Sequence, residues 1–126
     1  MKGDAKAAGR TLGGISERQL QAAILELAGY LKWTCYHTHD SRRSNPGFPD
    51  LVLVRERVIF AELKSAKGQL RPEQMEWRAA LDIAGAEYHV WRPQNWVDGD
   101  IEKILRRHAI GAGTPFSGRR AAVGDG

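Results

Sequence analysis

The chain has 126 residues, of which 42% are hydrophobic and 27% charged, a balance that fits one globular domain with a modest core. No apolar run is long enough to cross a membrane, and Met1–Gly14 lacks the apolar middle of a secretory signal. The single cysteine, Cys35, excludes an intramolecular disulfide and a Cys-rich zinc site and fits a reducing cytoplasm. Net charge is +4, a mild bias compatible with a polyanionic partner. Arginine outnumbers lysine, which suits bidentate phosphate contacts and equally reflects a GC-rich genome.

Residues 1–14 are rich in Gly, Ala and Lys without periodicity and read as a flexible arm; residues 111–126 read as a matching tail. The domain is expected over 15–110. Ser16-Glu17-Arg18-Gln19 fits a capping box, and Leu20, Ile24, Leu27 and Leu31 continue it as one buried helical stripe. Glu17 lies at the edge of that stripe. There it serves either the helix dipole or a site. Trp33–His39 alternates as a first strand and places His37 and His39 on one face. They read as strand-end polar residues, since no Cys or third His stands at zinc-like spacing. Asp40–Gly47 is a loop whose Arg42 and Arg43 either contact phosphate or are simply solvated.

Leu51–Val54 reads as a buried strand, Arg55-Glu56-Arg57 as a turn, and Val58–Lys64 as its hairpin partner. The turn lacks the Asn or Gly that tight hairpins prefer, which leaves its register open. A slip of one residue would turn Glu62 and Lys64 to the wrong face. Ser65–Leu70, with Lys67, is a polar connection. Pro72 opens a helix that stops at Gly85, with Gln74, Trp77, Leu81 and Ala84 on one face. Its N-cap, Arg71, is a poor one, at about 1 kcal/mol against Ser or Asp. Ala86–Trp91 is a fourth strand ended by Pro93. A last helix is capped by Asp98 or Asp100 and turns Ile101, Ile104, Leu105 and His108 to one side. The fold class is therefore α/β: αβββαβ plus a C-terminal helix, a small mixed sheet flanked by helices. A crossover makes its last two strands parallel.

The hairpin brings Asp50 and Glu62-x-Lys64 to one end of the sheet. Two carboxylates and an ammonium there suit a hard cation, Mg²⁺ or Mn²⁺, and an activated water. Asp50 and Glu62 are candidate ligands, with the Leu63 carbonyl as a third. Lys64 would orient or deprotonate the water, Glu17 would bind outer waters or a second ion, and Gln74 would hold Lys64 or a phosphate oxygen.

At these residues the sequence resembles the PD-(D/E)xK nuclease superfamily. Ser16-Glu17-xxx-Gln21, Gly47-Phe48-Pro49-Asp50-Leu51, Glu62-Leu63-Lys64 and Gln74-xx-Trp77 together resemble its VRR-NUC domain, over about Ser16–Arg92. The resemblance implies a restriction-endonuclease-like core and Mg²⁺- or Mn²⁺-dependent cleavage of DNA, structure-selective and acting in replication, repair or recombination. It implies that Asp50 and Glu62 are metal ligands, that Lys64 is the catalytic lysine, and that Glu17 and Gln74 are the helical acid and the glutamine after the core. Arg42, Arg43 and Lys67 are candidate DNA contacts. Short stand-alone members are similar to phage proteins and to resolvases that form homodimers. Arg71 stands where relatives carry Ser or Thr. DNA is the expected partner, no membrane is, and a replication or repair helicase is left unassigned. The alternative on the same fold is a catalytically silent DNA-binding or assembly module. A sequence-specific restriction enzyme fits less well, because the chain lacks an obvious recognition domain.

Overall fold

The computed structural model describes residues 14–39 and 45–109. The N-terminal arm as far as residue 13, the loop 40–44 with Arg42 and Arg43, and the tail from residue 110 lie outside the described residues. The elements run α1 (Glu17–Tyr30), β1 (Thr34–His37), β2 (Leu51–Val54), β3 (Val58–Leu63), α2 (Pro72–Ile83), β4 (Glu87–Trp91), α3 (Pro93–Val97) and α4 (Asp100–Arg106). The strands form one mixed sheet in the order β1-β2-β3-β4. β1, β2 and β3 pair antiparallel, and β3 and β4 pair parallel across α2. This is the expected α/β architecture.

Helix α1 starts on the expected capping box: Gln19 N donates to Ser16 Oγ at 3.1 Å, and Ser16 N donates to Gln19 Oε1 at 2.9 Å. It ends in a Schellman pattern, with Lys32 N bonded to Gly29 O and Trp33 N to Ala28 O. Lys32 takes the left-handed position, at φ 76°. Helix α2 closes the same way, but with Gly85 there at φ 82°, the stop the sequence predicts.

Alternation along the strands divides the sheet into two unlike faces. Leu51, Leu53, Ile59, Ala61, Leu63 and Trp91 point to one face. They pack with Leu20, Ile24 and Ala28 of α1, Ile101 and Leu105 of α4, and Trp33. The buried stripe of α1 thus passes through Ala28, while Leu27 and Leu31 are only half-buried. Among the described residues, the other face is covered by α2 alone. Val52, Phe60, Tyr88 and Val90 are half-buried there, and Val54 is 40% exposed. The expectation of a buried strand over Leu51–Val54 therefore holds for Leu51 and Leu53, holds by half for Val52 and fails for Val54. On α2 itself only Gln74 is buried; Trp77 and Leu81 are half-buried and Ala84 is exposed.

Beyond shifts of one residue at strand ends, the elements differ from the sequence reading in two places. Strand β1 stops at His37, two residues early. The chain opposite carries Pro49, which has no N–H to continue the ladder. Thr38 instead bonds to Asp50 O and Pro49 O. The last helix is in fact two. Pro93 both ends the strand and starts α3 as its first residue. Gly99, at φ 83°, precedes α4 in place of an aspartate cap. His108 falls beyond α4 and is exposed.

The hairpin turn is held from outside. Arg55 Nη1 donates to Leu31 O at the end of α1 (3.2 Å), and Nη2 to Arg107 O (2.9 Å). Arg57 donates to Ile104 O (2.8 Å), to Arg107 O, and through Nε to Glu87 (2.8 Å). Both guanidiniums lie over the Trp33 ring, 4.5 and 5.2 Å from its centroid, while Trp33 Nε1 donates to Leu105 O. Helix C-termini thus receive cations that suit their dipoles and fill their free carbonyls. The register that follows, Val54 opposite Val58 and Leu51 opposite Ala61, sends Glu62 to the α2 face.

Candidate active site

At the far end of the same hairpin, five predicted residues converge. Glu17, Asp50, Glu62, Lys64 and Gln74 all line one pocket of about 190 Å³, together with Thr38, Asn45, Gly47, Phe48 and Arg71. They come from four places: Glu17 from the first turn of α1, Asp50 from the entry to β2, Glu62 and Lys64 from the end of β3 and the residue after it, Gln74 from the first turn of α2. His37, His39 and Lys67 are not part of it. The two histidines pack on each other, 4.2 Å between centroids, and Lys67 is exposed in the turn after β3.

Asp50 accepts a hydrogen bond from Leu63 N at 2.8 Å, which ties the start of β2 to the end of β3 and fixes the carboxylate at the sheet end. Glu62 is 3% exposed. Its Oε2 accepts from Gln74 Nε2 at 2.8 Å and stands 3.9 Å from Lys64 Nζ. Its Oε1 is buried with no partner among the described residues. Burial and the neighbouring Asp50 carboxylate push Glu62 up to about 8. Two carboxyl groups, Glu62 buried and Asp50 half-buried, thus share the site with one buried ammonium, Lys64.

Gln74 differs from expectation. It grips Glu62, not Lys64, and its Oε1 accepts from Arg71 N at 2.8 Å, so one amide both starts α2 and fixes the glutamate. Glu17 accepts from Ser65 N at 3.1 Å, and Arg92 donates to Ser65 O and Gly68 O. The segment after Lys64 is thereby pinned from both sides.

The position of α2 depends on two close packings. Trp77 meets Phe48 edge-on at 5.0 Å, and Phe48 meets Phe60 at 6.2 Å. Gly47, at φ 90°, lies against the backbone of α2: a Cβ there would stand 2.3 Å from Glu73 O. This accounts for the Gly-Phe-Pro-Asp order: a close approach, an aromatic anchor, a residue without N–H, then the acid.

Sequence reasoning passed over Thr38, Asn45 and the pocket position of Arg71. For Arg71 a signal existed, since a residue unable to cap occupies a cap position. The described residues contain no group of three or more His, Cys, Asp or Glu side chains set for a metal ion, and no helix long and apolar enough to cross a membrane. Comparison with protein families matches the VRR-NUC domain over residues 12–94. Comparisons with curated proteins and with solved structures give no match.

Proposed function

The chain belongs to the VRR-NUC domain family, a nuclease family, and we propose that it is a divalent-metal-dependent DNA endonuclease. In this reading it hydrolyses phosphodiester bonds and selects branched, flap or junction DNA during replication, repair or recombination. The observation that carries the proposal is the buried Glu62 beside the half-buried Asp50, with no partner for Glu62 Oε1 among the described residues.

Those residues fit a hard cation. Asp50 and Glu62 would hold it, with the Leu63 carbonyl and water completing a set that does not require a third acidic side chain. When bound, Mg²⁺ or Mn²⁺ supplies charge at the phosphoryl oxygens and acidifies bound water. The remaining work belongs to the chain. Lys64, 8% exposed and lining the pocket, orients the attacking water and stabilises charge that develops at the phosphate. Gln74 keeps the Glu62 carboxylate from rotating. Glu17 sets the backbone after Lys64 and hence the reach of its ammonium. A homodimer belongs to the same reading, supported by Tyr36, Val54 and Val58, exposed on one sheet face.

Purified protein assayed on duplex, single-stranded, flap and four-way DNA, with Mg²⁺, Mn²⁺ or chelator, tests the proposal. Cleavage with metal and none with chelator is expected. Lys64→Ala should lower the rate about 10³-fold or more with an unchanged melting temperature. DNA binding without cleavage of any substrate would favour the silent module.

A further inference from the structure

The start of α2 breaks two local rules at once. Its N-cap, Arg71, has no acceptor for the first N–H groups of the helix, and no side-chain cap bond forms. It also places positive charge at the positive end of the helix dipole. Gln74 compensates in part by accepting from Arg71 N. A serine or aspartate would serve the helix better on both counts. Local rules broken together, beside a pocket, mark positions held for another purpose.

Arg71 lines the pocket with Glu17, Asp50 and Glu62. Among the described residues lining it, the two cations are Lys64 and Arg71. Lys64 is buried beside Glu62. Arg71 is different: its side chain is 60% exposed, and its ion pair is a surface contact with Glu73 at 3.2 Å. Such a pair is weak and readily exchanged. A phosphodiester approaching three carboxylates meets like charge, and a guanidinium at the mouth offsets it with a fork that matches phosphate oxygens.

We infer that Arg71 is a substrate-positioning residue whose guanidinium leaves Glu73 to bind a non-bridging phosphate oxygen of DNA at the pocket mouth. This rests on the nuclease reading for its substrate. The test compares wild type, Arg71→Ser and Arg71→Lys in cleavage kinetics over a range of salt, with melting temperatures. Arg71→Ser should melt at the same temperature or up to about 5 °C higher. Its KM should rise about tenfold with kcat changed less than about threefold, and the log–log salt slope of DNA binding should fall by about one. Arg71→Lys should keep the slope and recover part of KM. Wild-type KM and salt slope in Arg71→Ser would overturn the inference. So would a lower melting temperature with kcat and KM both impaired, which marks a structural residue. Equilibrium binding of the same DNA separates the two readings. A slope reduced by Arg71→Ser in a protein that cleaves nothing sinks the nuclease reading and keeps this one.

Discussion

The two ends of the β2–β3 hairpin are built from the same residue types to opposite effect. At the turn, Arg55 and Arg57 meet Glu56, Glu87, the carbonyls that end α1 and α4, and the face of Trp33. Charge there is matched, and Arg55, at their head, holds Glu56 down to about 2. At the other end, Glu62 is buried beside a half-buried Asp50, its Oε1 has no partner among the described residues, and it is raised to about 8. One end uses charge to lock the register; the other crowds two carboxyl groups so that one of them resists ionising. The contrast is between stability and preorganisation, and four changes probe it.

Arg57→Ala should be the most damaging to stability. It deletes charge-assisted hydrogen bonds to Ile104 O, Arg107 O and Glu87, each of which keeps one other partner (Arg107 N, Arg55 and His89 respectively), at about 2–4 kcal/mol. Denaturant unfolding would read this, with nuclease rate per folded molecule nearly unchanged at low temperature. A large loss of rate in a fully folded Arg57→Ala would mean that the two ends are not separable.

Gly47→Ala acts from the opposite end. The added Cβ meets the α2 backbone, and φ of 90° suits no L side chain, so about 1–3 kcal/mol is lost. Helix α2 must also shift, taking Gln74 off Glu62. A misplacement near 1 Å lowers the cleavage rate by about 10²-fold. Wild-type activity in this variant would show that the close approach is unimportant for the site.

The pH dependence of metal-free stability should carry both signs. Glu62 has its folded pKa raised from 4.5 to about 8, so its contribution is fully present below 4.5 and is lost as pH climbs through 8. Glu56 is lowered from 4.5 to about 2, so its contribution is present above 4.5 and is lost as pH falls through 2. Thermal melts of Glu62→Gln should lose the alkaline decline, and those of Glu56→Gln the acid one. Mg²⁺ or Mn²⁺ should flatten the alkaline limb of wild type alone. A decline that Glu62→Gln leaves intact would refute the assignment.

The smallest effect is expected between the ends, at the turn from α1 to β1. Lys32 is left-handed where glycine rests more easily, so Lys32→Gly should stabilise by about 1 kcal/mol, read as a higher denaturation midpoint. It should leave cleavage untouched.

Much of this was written locally. Ser16 and Gln19, Gly85, the apolar alternation of the strands and the Glu62–Lys64 face follow from periods and caps that act over a few residues, and the structure carries all of them. The short Pro93 helix and the Gly99 start of α4 were missed, because a proline that ends a strand looks the same as one that opens a helix. The hairpin register was beyond local reading, since Arg55–Arg57 contains no turn residue that imposes one. It is set by helix ends at Leu31, Ile104 and Arg107, distant in sequence. Sequence alone therefore determined which side chains could form a site and which of them share a face; the register decided which face that is. Tertiary structure decided that Gln74 grips Glu62, that Glu17 pins the backbone after Lys64, and that one carboxylate oxygen stays unmatched among the described residues. Burial and pairing of charge arise only when separate elements close on one another and exclude water.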